Sequence, residues 1–325
     1  IFKEFDDTLR VWQQDYQQLL TRWNALSGDA ISRAAATAIY HQAHTYYHLT
    51  VIESLGDALI IPRYGFPIGL SQLRVSAPDA TNPGRVKTED QYRLQRSSML
   101  AIREYVPGSK LIAGGRLITS HGILKHWTGD DVQGPDASLG LRGWFVRSRE
   151  TGRFDYSLSG DDVSTPSGTL QVDRGQMLFA KHGFTSAAWD PPKFSQKDKK
   201  VGRVDAYTRA FHGNNSKCSI IENYADLGNL TAHYQATGEI VLLNAGGNGH
   251  GFAVCTKCGY TDSERNMNGR GRIDLPPSFE NHPSLFTDRI NHRCWSMDET
   301  PILRNQHMAA KQRTNLLLFD LSQWL

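Results

Sequence analysis

The chain has 325 residues, of which 39% are hydrophobic and 21% charged, and its formal net charge is +3. These values are typical of a globular protein with one large or two moderate domains, and the small charge does not by itself indicate a nucleic-acid binder. No apolar run approaches the roughly 20 residues that a membrane helix needs, so we expect no membrane partner. The chain begins at Ile1 directly in a helical pattern, and we interpret it as a piece of a longer polypeptide or a processed chain.

The N-terminal residues carry the pattern of two helices. Apolar residues recur in steps of three and four over residues 1–26, which predicts one apolar stripe along a long helix. A second helix is predicted over residues 29–54, and Ser27-Gly28 is a helix stop and restart. We therefore expect a helical hairpin over residues 1–56.

The second region, residues 57–190, changes in character. Pro62 and Pro67 exclude a helix at its start, and a short helix is predicted from Tyr92 to Tyr105. Short apolar runs separated by turn residues then predict antiparallel strands at 110–112, 116–119, 143–147 and 169–172.

The polar segment 191–200 contains four lysines. We interpret it as a solvated loop rather than a phosphate-binding loop, because only Phe194 interrupts it with an aromatic ring. The third region, 201–325, contains further strand candidates at 204–210, 220–224, 230–234, 239–244, 251–254 and 316–321. The predicted fold class is α+β: an N-terminal helical hairpin, then a mostly antiparallel β region with a structural zinc knuckle in the C-terminal domain.

The knuckle is the stretch NAGGNGHGFAVCTKCG, residues 244–259. A glycine-rich run leads into a short apolar strand, and Cys255-x-x-Cys258-Gly259 follows. Two thiolates on a tight turn can bind one metal ion, and the glycine lets the backbone curl toward the sulfurs. No helix follows Cys255, which favours a metal site over a thioredoxin-like redox pair. With four cysteines in the whole chain, a disulfide scaffold is excluded and a reducing, cytoplasmic compartment is expected.

A structural zinc site needs four ligands, and the residues alone identify three. These three are Cys255, Cys258 and Cys294. The residues leave three candidates for the fourth ligand, which are His282, His292 and Cys218. We expect a closed Zn²⁺ site that holds the loop 259–294 in place, because this loop has few apolar residues. A catalytic zinc would need an open position and a nearby general base, and no such pattern is present.

Motifs of common enzymes are absent from the sequence. There is no G-x-x-x-x-G-K-[ST] phosphate loop, no G-x-S-x-G elbow and no H-E-x-x-H pair. The run 246–251 lacks the dinucleotide-binding spacing and leads into a strand, not a helix. We therefore predict no catalytic residue and no motor motif in this chain.

Four stretches in this order resemble the C-terminal region of large superfamily 2 helicase-like proteins with an MrfA-type zinc-binding domain. Such regions occur in Mrf-type DNA repair helicases and in anti-phage systems such as DISARM and Druantia. The stretches are LIIPRYGFP at 59–67, RSSMLAIREYVPGSKLIAGGRLITSHG at 96–122, the knuckle at 244–259, and QRTNLLLFD at 312–320. Asn315 departs from the family, which has Asp at this position.

The resemblance implies a ligand set and a set of partners. In this family a histidine with a short Pro/Leu segment precedes the last cysteine, and His282-Pro283-Ser284-Leu285 matches this better than His292. The implied parent is an ATP-dependent, DNA-directed helicase in antiviral defence or DNA repair. Its motor domains lie upstream or on a partner chain, and defence-complex subunits are further partners.

The resemblance also implies contacts of basic residues with the DNA backbone. The predicted contacts are Arg270, Arg272, Arg293, Lys311 and Arg313. Two alternatives from other classes remain: a protein-interaction scaffold of a defence complex that never contacts nucleic acid, and an autonomous metalloenzyme with an open zinc.

Overall fold

The protein is an α+β protein made mostly of strands. The computed structural model describes residues 2–27, 33–47, 70–125, 139–149, 154–158, 163, 171–194, 199–200, 202, 204–208, 218–224, 230–266, 273–285, 289–290, 292–294 and 302–320. The described α-helices are α1 (Phe2–Ser27), α2 (Arg33–Tyr47) and α3 (Ser98–Glu104). None of these helices combines the length and the apolar character needed to cross a bilayer.

The two N-terminal helices pack against each other. Leu19 of α1 and Ile39 and Ala43 of α2 are buried together, and the ring of Trp12 stacks on that of Tyr46 with centroids 6.0 Å apart. The link between them, residues 28–32, lies outside the described residues, so the hairpin itself stays a prediction.

The strands of the first two-thirds of the chain are short. They are β1 (Leu70–Arg74), β2 (Ser76–Pro78), β3 (Val86–Thr88), β4 (Leu94–Ser97), β5 (Lys110–Ala113), β6 (Arg116–Thr119), β7 (Gly122–Ile123), β8 (Leu141–Ser148), β9 (Phe154–Ser157), β10 (Val172–Phe179), β11 (Phe184–Thr185) and β12 (Lys193–Phe194). The predicted helix from Tyr92 was therefore wrong in its first half. Residues 94–97 instead pair with β1 in the register Leu73↔Leu94, and the helix begins only at Ser98.

The C-terminal strands include two long ones. They are β13 (Val204–Thr208), β14 (Cys218–Tyr224), β15 (Leu230–Asn244), β16 (Phe252–Cys255), β17 (Thr261–Ser263) and β18 (Ile302–Asp320). The strands predicted at 230–234 and 239–244 are one continuous strand. The prediction also found only the apolar end of β18.

Nine strands form the largest sheet, in the order β13-β15-β18-β10-β8-β9 with β14 paired to β15 and β16 paired to both β17 and β18. Three smaller sheets have the orders β4-β1-β11-β7, β12-β6-β5 and β2-β3. Among the described pairs, β1–β11 and β10–β18 are parallel and the others are antiparallel. The largest sheet combines strands from both sides of the predicted domain boundary at 190–201, so this boundary does not correspond to a break in the sheet.

Strand β16 connects the main core to the candidate metal ligands. All four of its residues are buried, and successive side chains of a strand point to opposite faces. Phe252 and Val254 belong to the main apolar core with Ile102, whereas Ala253 and Cys255 belong to a second cluster with Phe279. The strand is therefore covered on both faces, and one face carries the first cysteine of the knuckle.

Candidate metal centre

Four side chains from three parts of the C-terminal region converge on one point. They are Cys255, Cys258, His282 and Cys294, and their ligand atoms all lie within 4.8 Å of one another. Cys255 Sγ lies 3.8 Å from Cys294 Sγ, and Cys258 Sγ lies 3.3 Å from His282 Nε2. All four residues are buried. The cluster is thus a compact group of three sulfurs and one imidazole nitrogen.

The turn between β16 and β17 places the first two sulfurs. The amide of Gly259 donates to the carbonyl of Cys255 at 2.8 Å, and the amide of Cys255 donates to the carbonyl of Tyr260 at 2.8 Å. Gly259 has a φ of +74°, in the left-handed region that glycine adopts without strain. These bonds close the chain into a tight loop, which brings Cys258 back beside Cys255.

A two-rung antiparallel pairing places the other two ligands. The amide of Cys294 donates to the carbonyl of His282 at 2.9 Å, and the amide of Ser284 donates to the carbonyl of His292 at 2.7 Å. Pro283 and Arg293 form the bridge between these rungs. Residues far apart in sequence therefore stand side by side through backbone hydrogen bonds.

The orientation of the His282 ring is set by its other nitrogen. Nδ1 lies 3.0 Å from the carbonyl oxygen of Phe279, which can only accept, so Nδ1 carries the proton and donates. Nε2 is then the nitrogen that faces the sulfurs. The ring also stacks on Tyr260, with centroids 4.9 Å apart, and contacts Phe279. A backbone carbonyl that orients the distal nitrogen is the usual arrangement around a metal-binding histidine.

The cluster strongly perturbs the ionisation of its own members. Burial raises the pKa of Cys258, whereas hydrogen bonds from Cys258 and Cys294 lower the pKa of Cys255. Burial opposes a charge on His282, yet the facing sulfurs of Cys255 and Cys294 raise its pKa to about 10. The buried sulfurs thus stabilise a positive charge placed between them. A metal cation can take the place of the protons at such a position.

The spacing of the donor atoms fits a tetrahedral metal ion. Metal–sulfur bonds of about 2.3 Å and metal–nitrogen bonds of about 2.0 Å put tetrahedral sulfurs about 3.8 Å apart, and sulfur and nitrogen about 3.5 Å apart. Two of the six separations, at 3.8 Å and 3.3 Å, are close to these values, and all six lie within 4.8 Å. Four protein donors would complete the tetrahedron of such an ion and leave no position for water or substrate.

Strand β7 fixes the knuckle against the rest of the protein. The amide of Ile123 donates to the carbonyl of Gly259 at 2.9 Å, and the amide of Thr261 donates to the carbonyl of His121 at 3.0 Å. A Cβ on Gly122 would lie 2.4 Å from the Gly259 carbonyl oxygen. Glycine is therefore required at position 122 for the backbones to approach this closely.

The glycine-rich run before β16 has a structural use. The amide of Gly246 donates to Asn244 Oδ1 at 2.9 Å, and the amide of Gly251 donates to the Ala245 carbonyl at 2.7 Å. Asn244 Nδ2 donates to the carbonyl of Ile102 in α3 at 2.8 Å. Because the run uses these amides to build the entry into β16, they do not form a phosphate-binding loop.

The two other candidates for the fourth ligand, His292 and Cys218, are not part of the described cluster. The side chain of His292 is exposed, and it does not belong to the cluster. Cys218 begins β14, opposite Gln235, and its side chain lies outside the described residues.

Of the predicted DNA contacts, two can be located. Arg293 is exposed beside Cys294. Lys311 lies nine residues along β18 from Ile302, the residue paired with Cys255, which is roughly 30 Å away along a strand. Its ammonium group donates to Tyr156 Oη at 3.1 Å, so it is engaged inside the sheet and does not adjoin the knuckle. Arg270 and Arg272 lie outside the described residues, as does the side chain of Arg313.

Sequence reasoning missed a buried ion pair that holds the region around β17. The side chain of Glu264 is fully buried and accepts from Arg304 Nε at 2.8 Å and from the amide of Asn305 at 2.9 Å. A single glutamate in a polar stretch resembles any solvated surface residue, so no signal in the sequence marks it. Its contacts join the end of β17 to the beginning of β18.

No family model matches this chain, and no curated protein or solved structure matches it. The resemblance to helicase-associated regions therefore rests on the four sequence stretches alone. Of these, residues 59–67 lie outside the described residues, whereas the other three are described at least in their backbone.

Proposed function

We propose that Cys255, Cys258, His282 and Cys294 bind one structural zinc ion that holds the C-terminal loops against the sheet. The observation that carries this proposal is the buried set of three sulfurs and one nitrogen at tetrahedral spacing. Closed sites with this donor set are typical of structural zinc, whereas catalytic zinc keeps an open position.

The elements around the site need such a link. The pairing of 282–284 with 292–294 has two rungs in its described part, and a pairing this short does not persist in water by itself. A metal ion bound to both segments and to the knuckle would connect them to β16 and hence to the main core. The free energy of metal binding then becomes free energy of folding.

Metal analysis and X-ray absorption of the purified chain test this site. The expected result is one zinc per chain with three sulfur ligands and one nitrogen ligand. A coordinated water, or fewer than three sulfur ligands, would contradict the closed site and favour an autonomous metalloenzyme.

At the level of the whole protein, we infer an accessory zinc-binding region of a DNA helicase or ATPase-like protein in anti-phage defence or DNA repair. Two of the stretches that carry the resemblance, 96–122 and 244–259, adjoin each other at the metal centre. Gly122 bridges to Tyr260, and Asn244 binds the backbone of Ile102. This packing supports a single functional unit, with motor domains upstream or on a partner chain. An upstream sequence with Walker and DExH motifs is the expected finding.

The region is proposed to contribute DNA contacts through cations around the zinc site. Lys257 lies between the two knuckle cysteines and Arg293 directly precedes Cys294, and both are exposed. Lysine and arginine at such positions can bind phosphates without reading sequence. Arg270 and Arg272, between these two residues in the sequence, are proposed to act in the same way.

A second pair of cations favours an anionic partner. Lys110 of β5 and Lys199 exchange both backbone hydrogen bonds, at 2.7 Å and 3.0 Å, and so stand directly opposite each other. Like charges in opposite positions destabilise a pairing, and a bound phosphate would relieve this repulsion.

Fluorescence anisotropy with labelled DNA between 50 and 200 mM salt tests the DNA contacts. We expect affinity to fall steeply with salt, and the triple variant Arg270→Glu, Arg272→Glu and Arg293→Glu to bind more weakly with a shallower salt slope. A triple reversal at the exposed Arg10, Arg103 and Lys181 is the matched control. Binding that is absent, or indifferent to salt, would overturn the DNA contacts and leave the protein-interaction scaffold in their place.

A further inference from the structure

Phe194 is an aromatic side chain that the fold holds out in solvent. It is 80% exposed, more than any other large hydrophobic residue among those the structure describes. Its backbone is held in place, because β12 pairs with β6 in the register Phe194↔Arg116. A single exposed aromatic ring is common on protein surfaces and is not a site by itself, but the strand pairing holds this ring where a ligand can stack on it.

Arg116 lies against this ring. Its guanidinium carbon is 4.6 Å from the centroid of Phe194, and its Nη1 donates to the Pro192 carbonyl at 3.4 Å. Within the described contacts, both partners of Arg116 are uncharged. The side chain therefore offers a planar cation, fixed beside an exposed aromatic ring.

An open groove of about 570 Å³ adjoins this pair. Tyr92 and Arg93 line it together with Pro191, Pro192 and Arg116. Its volume is in the range of small-molecule and nucleotide sites.

The turn between β5 and β6 lines the groove with bare backbone. Gly114, the glycine of this turn that lines the groove, has a φ of +56°, and a Cβ on it would lie 3.5 Å from Tyr92 Cε1. A ligand can therefore approach this turn closely.

The charges around the groove favour an anion. Arg93 is exposed, and Arg116 faces the groove. Glu89 also lines the groove and keeps its negative charge, because its partner at 2.9 Å is the neutral Gln91 amide. Asp190 is paired with Lys193 at 2.7 Å and also contacts His121 at 3.0 Å. Two guanidinium groups against one carboxylate leave a net positive charge among the residues that line the groove.

We propose that Phe194, Arg116 and this groove bind single-stranded nucleic acid. Unpaired bases stack on the exposed ring, and Arg93 and Arg116 bind the phosphates. Aromatic rings beside a cationic groove are how proteins bind single strands without reading sequence. A duplex keeps its bases stacked inside and cannot use the ring, so the site prefers unpaired strands. This inference rests on the proposed nucleic-acid function and assigns the kind of strand.

The test compares three substitutions of one residue in the full chain. Phe194→Ala removes the ring, Phe194→Leu keeps apolar surface without a π face, and Phe194→Trp keeps a ring. The probes are labelled oligo-dT, oligo-rU and a DNA duplex at fixed salt. For the single strands we expect the Ala and Leu variants to bind about 5- to 150-fold more weakly and the Trp variant to bind as the wild type does. Duplex affinity should not change.

Arg116 provides an independent readout. Arg116→Gln should reduce the salt slope of single-strand binding by about one, because one phosphate contact is lost. Arg116→Lys should restore the slope, since it restores the charge. The control variant is Trp144→Leu, which removes another exposed ring on β8 and should leave affinity unchanged.

Three results would overturn the proposal. If Phe194→Leu binds single strands as well as wild type does, a π face is not needed at this position, and stacking is wrong. If all Phe194 variants bind like wild type while binding remains salt-dependent, this groove is not the site, although the proposed DNA function stands. If the wild-type chain binds none of the probes, both proposals fail together.

Discussion

The amide nitrogen of Cys294 donates a hydrogen bond to the carbonyl oxygen of His282 across 2.9 Å. This bond joins the backbones of two candidate metal ligands that are twelve positions apart, and it places their side chains next to each other. The other two ligands come from one tight turn after β16. Half of the site is therefore local, whereas the other half exists only when a distant pairing has formed.

Replacing a knuckle cysteine should remove the metal and weaken the fold. Cys255→Ser or Cys258→Ser takes away one of four buried donors, so we expect zinc content to fall to near zero. The melting temperature should fall by at least about 10 °C, because metal binding contributes to folding. Metal analysis and thermal unfolding measure the two effects. Cys218→Ser is the control and should retain zinc; unchanged zinc content in the knuckle variants would count against the site.

Substitutions of the two histidines near Cys294 can be compared to identify the fourth ligand. His282→Ala removes the buried nitrogen 3.3 Å from Cys258 Sγ, and we expect zinc affinity to drop at least about 100-fold. His292→Ala removes an exposed side chain and should leave affinity unchanged. Competition with a chelator gives both values. The opposite ranking would show that His292 is the ligand.

Removing the charge of Glu264 should destabilise the region without touching the metal. Glu264→Gln leaves the partly exposed Arg304 and the amide of Asn305 without their carboxylate, and losing hydrogen bonds to a charged group costs about 1.5 to 3 kcal/mol. Denaturant unfolding measures the free energy. Glu280→Gln is the control, since Glu280 is exposed and should change the free energy by less than about 0.5 kcal/mol. Equal effects of the two substitutions would argue against the ion pair.

His307 should make stability depend on pH. Burial lowers its pKa, so the folded protein holds the ring neutral where the unfolded chain already binds a proton. Below about pH 6.5, the ordinary pKa of histidine, the unfolded state binds more protons than the folded state does. The full stability is therefore present above that pH and is lost as the pH falls toward 5. The loss should not exceed about 1.4 kcal/mol per pH unit for one proton.

The variant His307→Gln isolates this effect. It should flatten the dependence of unfolding free energy on pH between about 6.5 and 5 relative to wild type. Acid release of metal affects both proteins equally and cancels in the difference. Identical pH dependence in both proteins would show that another group is responsible.

Local features of the fold were predictable from the sequence. The turn at Cys255–Gly259 depends on two cysteines and a glycine that lie within five positions. The hairpin of β5 and β6 depends on two adjacent glycines, Gly114 and Gly115, with positive φ angles. In both cases the residues that set the backbone conformation are neighbours in the chain, so a short pattern contains the necessary information.

Non-local pairing caused the errors. Residues 94–97 have a helical pattern, but hydrogen bonds to β1 stabilise them as a strand. Strand β18 was found only at its apolar end because its first half, ILRNQHMAA, has four consecutive polar residues and no apolar–polar alternation. That half is extended because β10, β15 and β16 all pair with β18. No pattern within either segment could reveal its partner strand.

The sequence by itself determined that three cysteines and one further residue could bind a metal, because a Cys-x-x-Cys-Gly turn with no helix after its first cysteine favours a metal site over a redox pair. The tertiary structure decided which residue completes the set. His282 lies inside the cluster because its Nδ1 donates to the Phe279 carbonyl and its backbone pairs with Cys294. His292 is exposed although it is closer to Cys294 in sequence. The choice depended on hydrogen bonds and ring packing between distant residues, which sequence spacing does not encode.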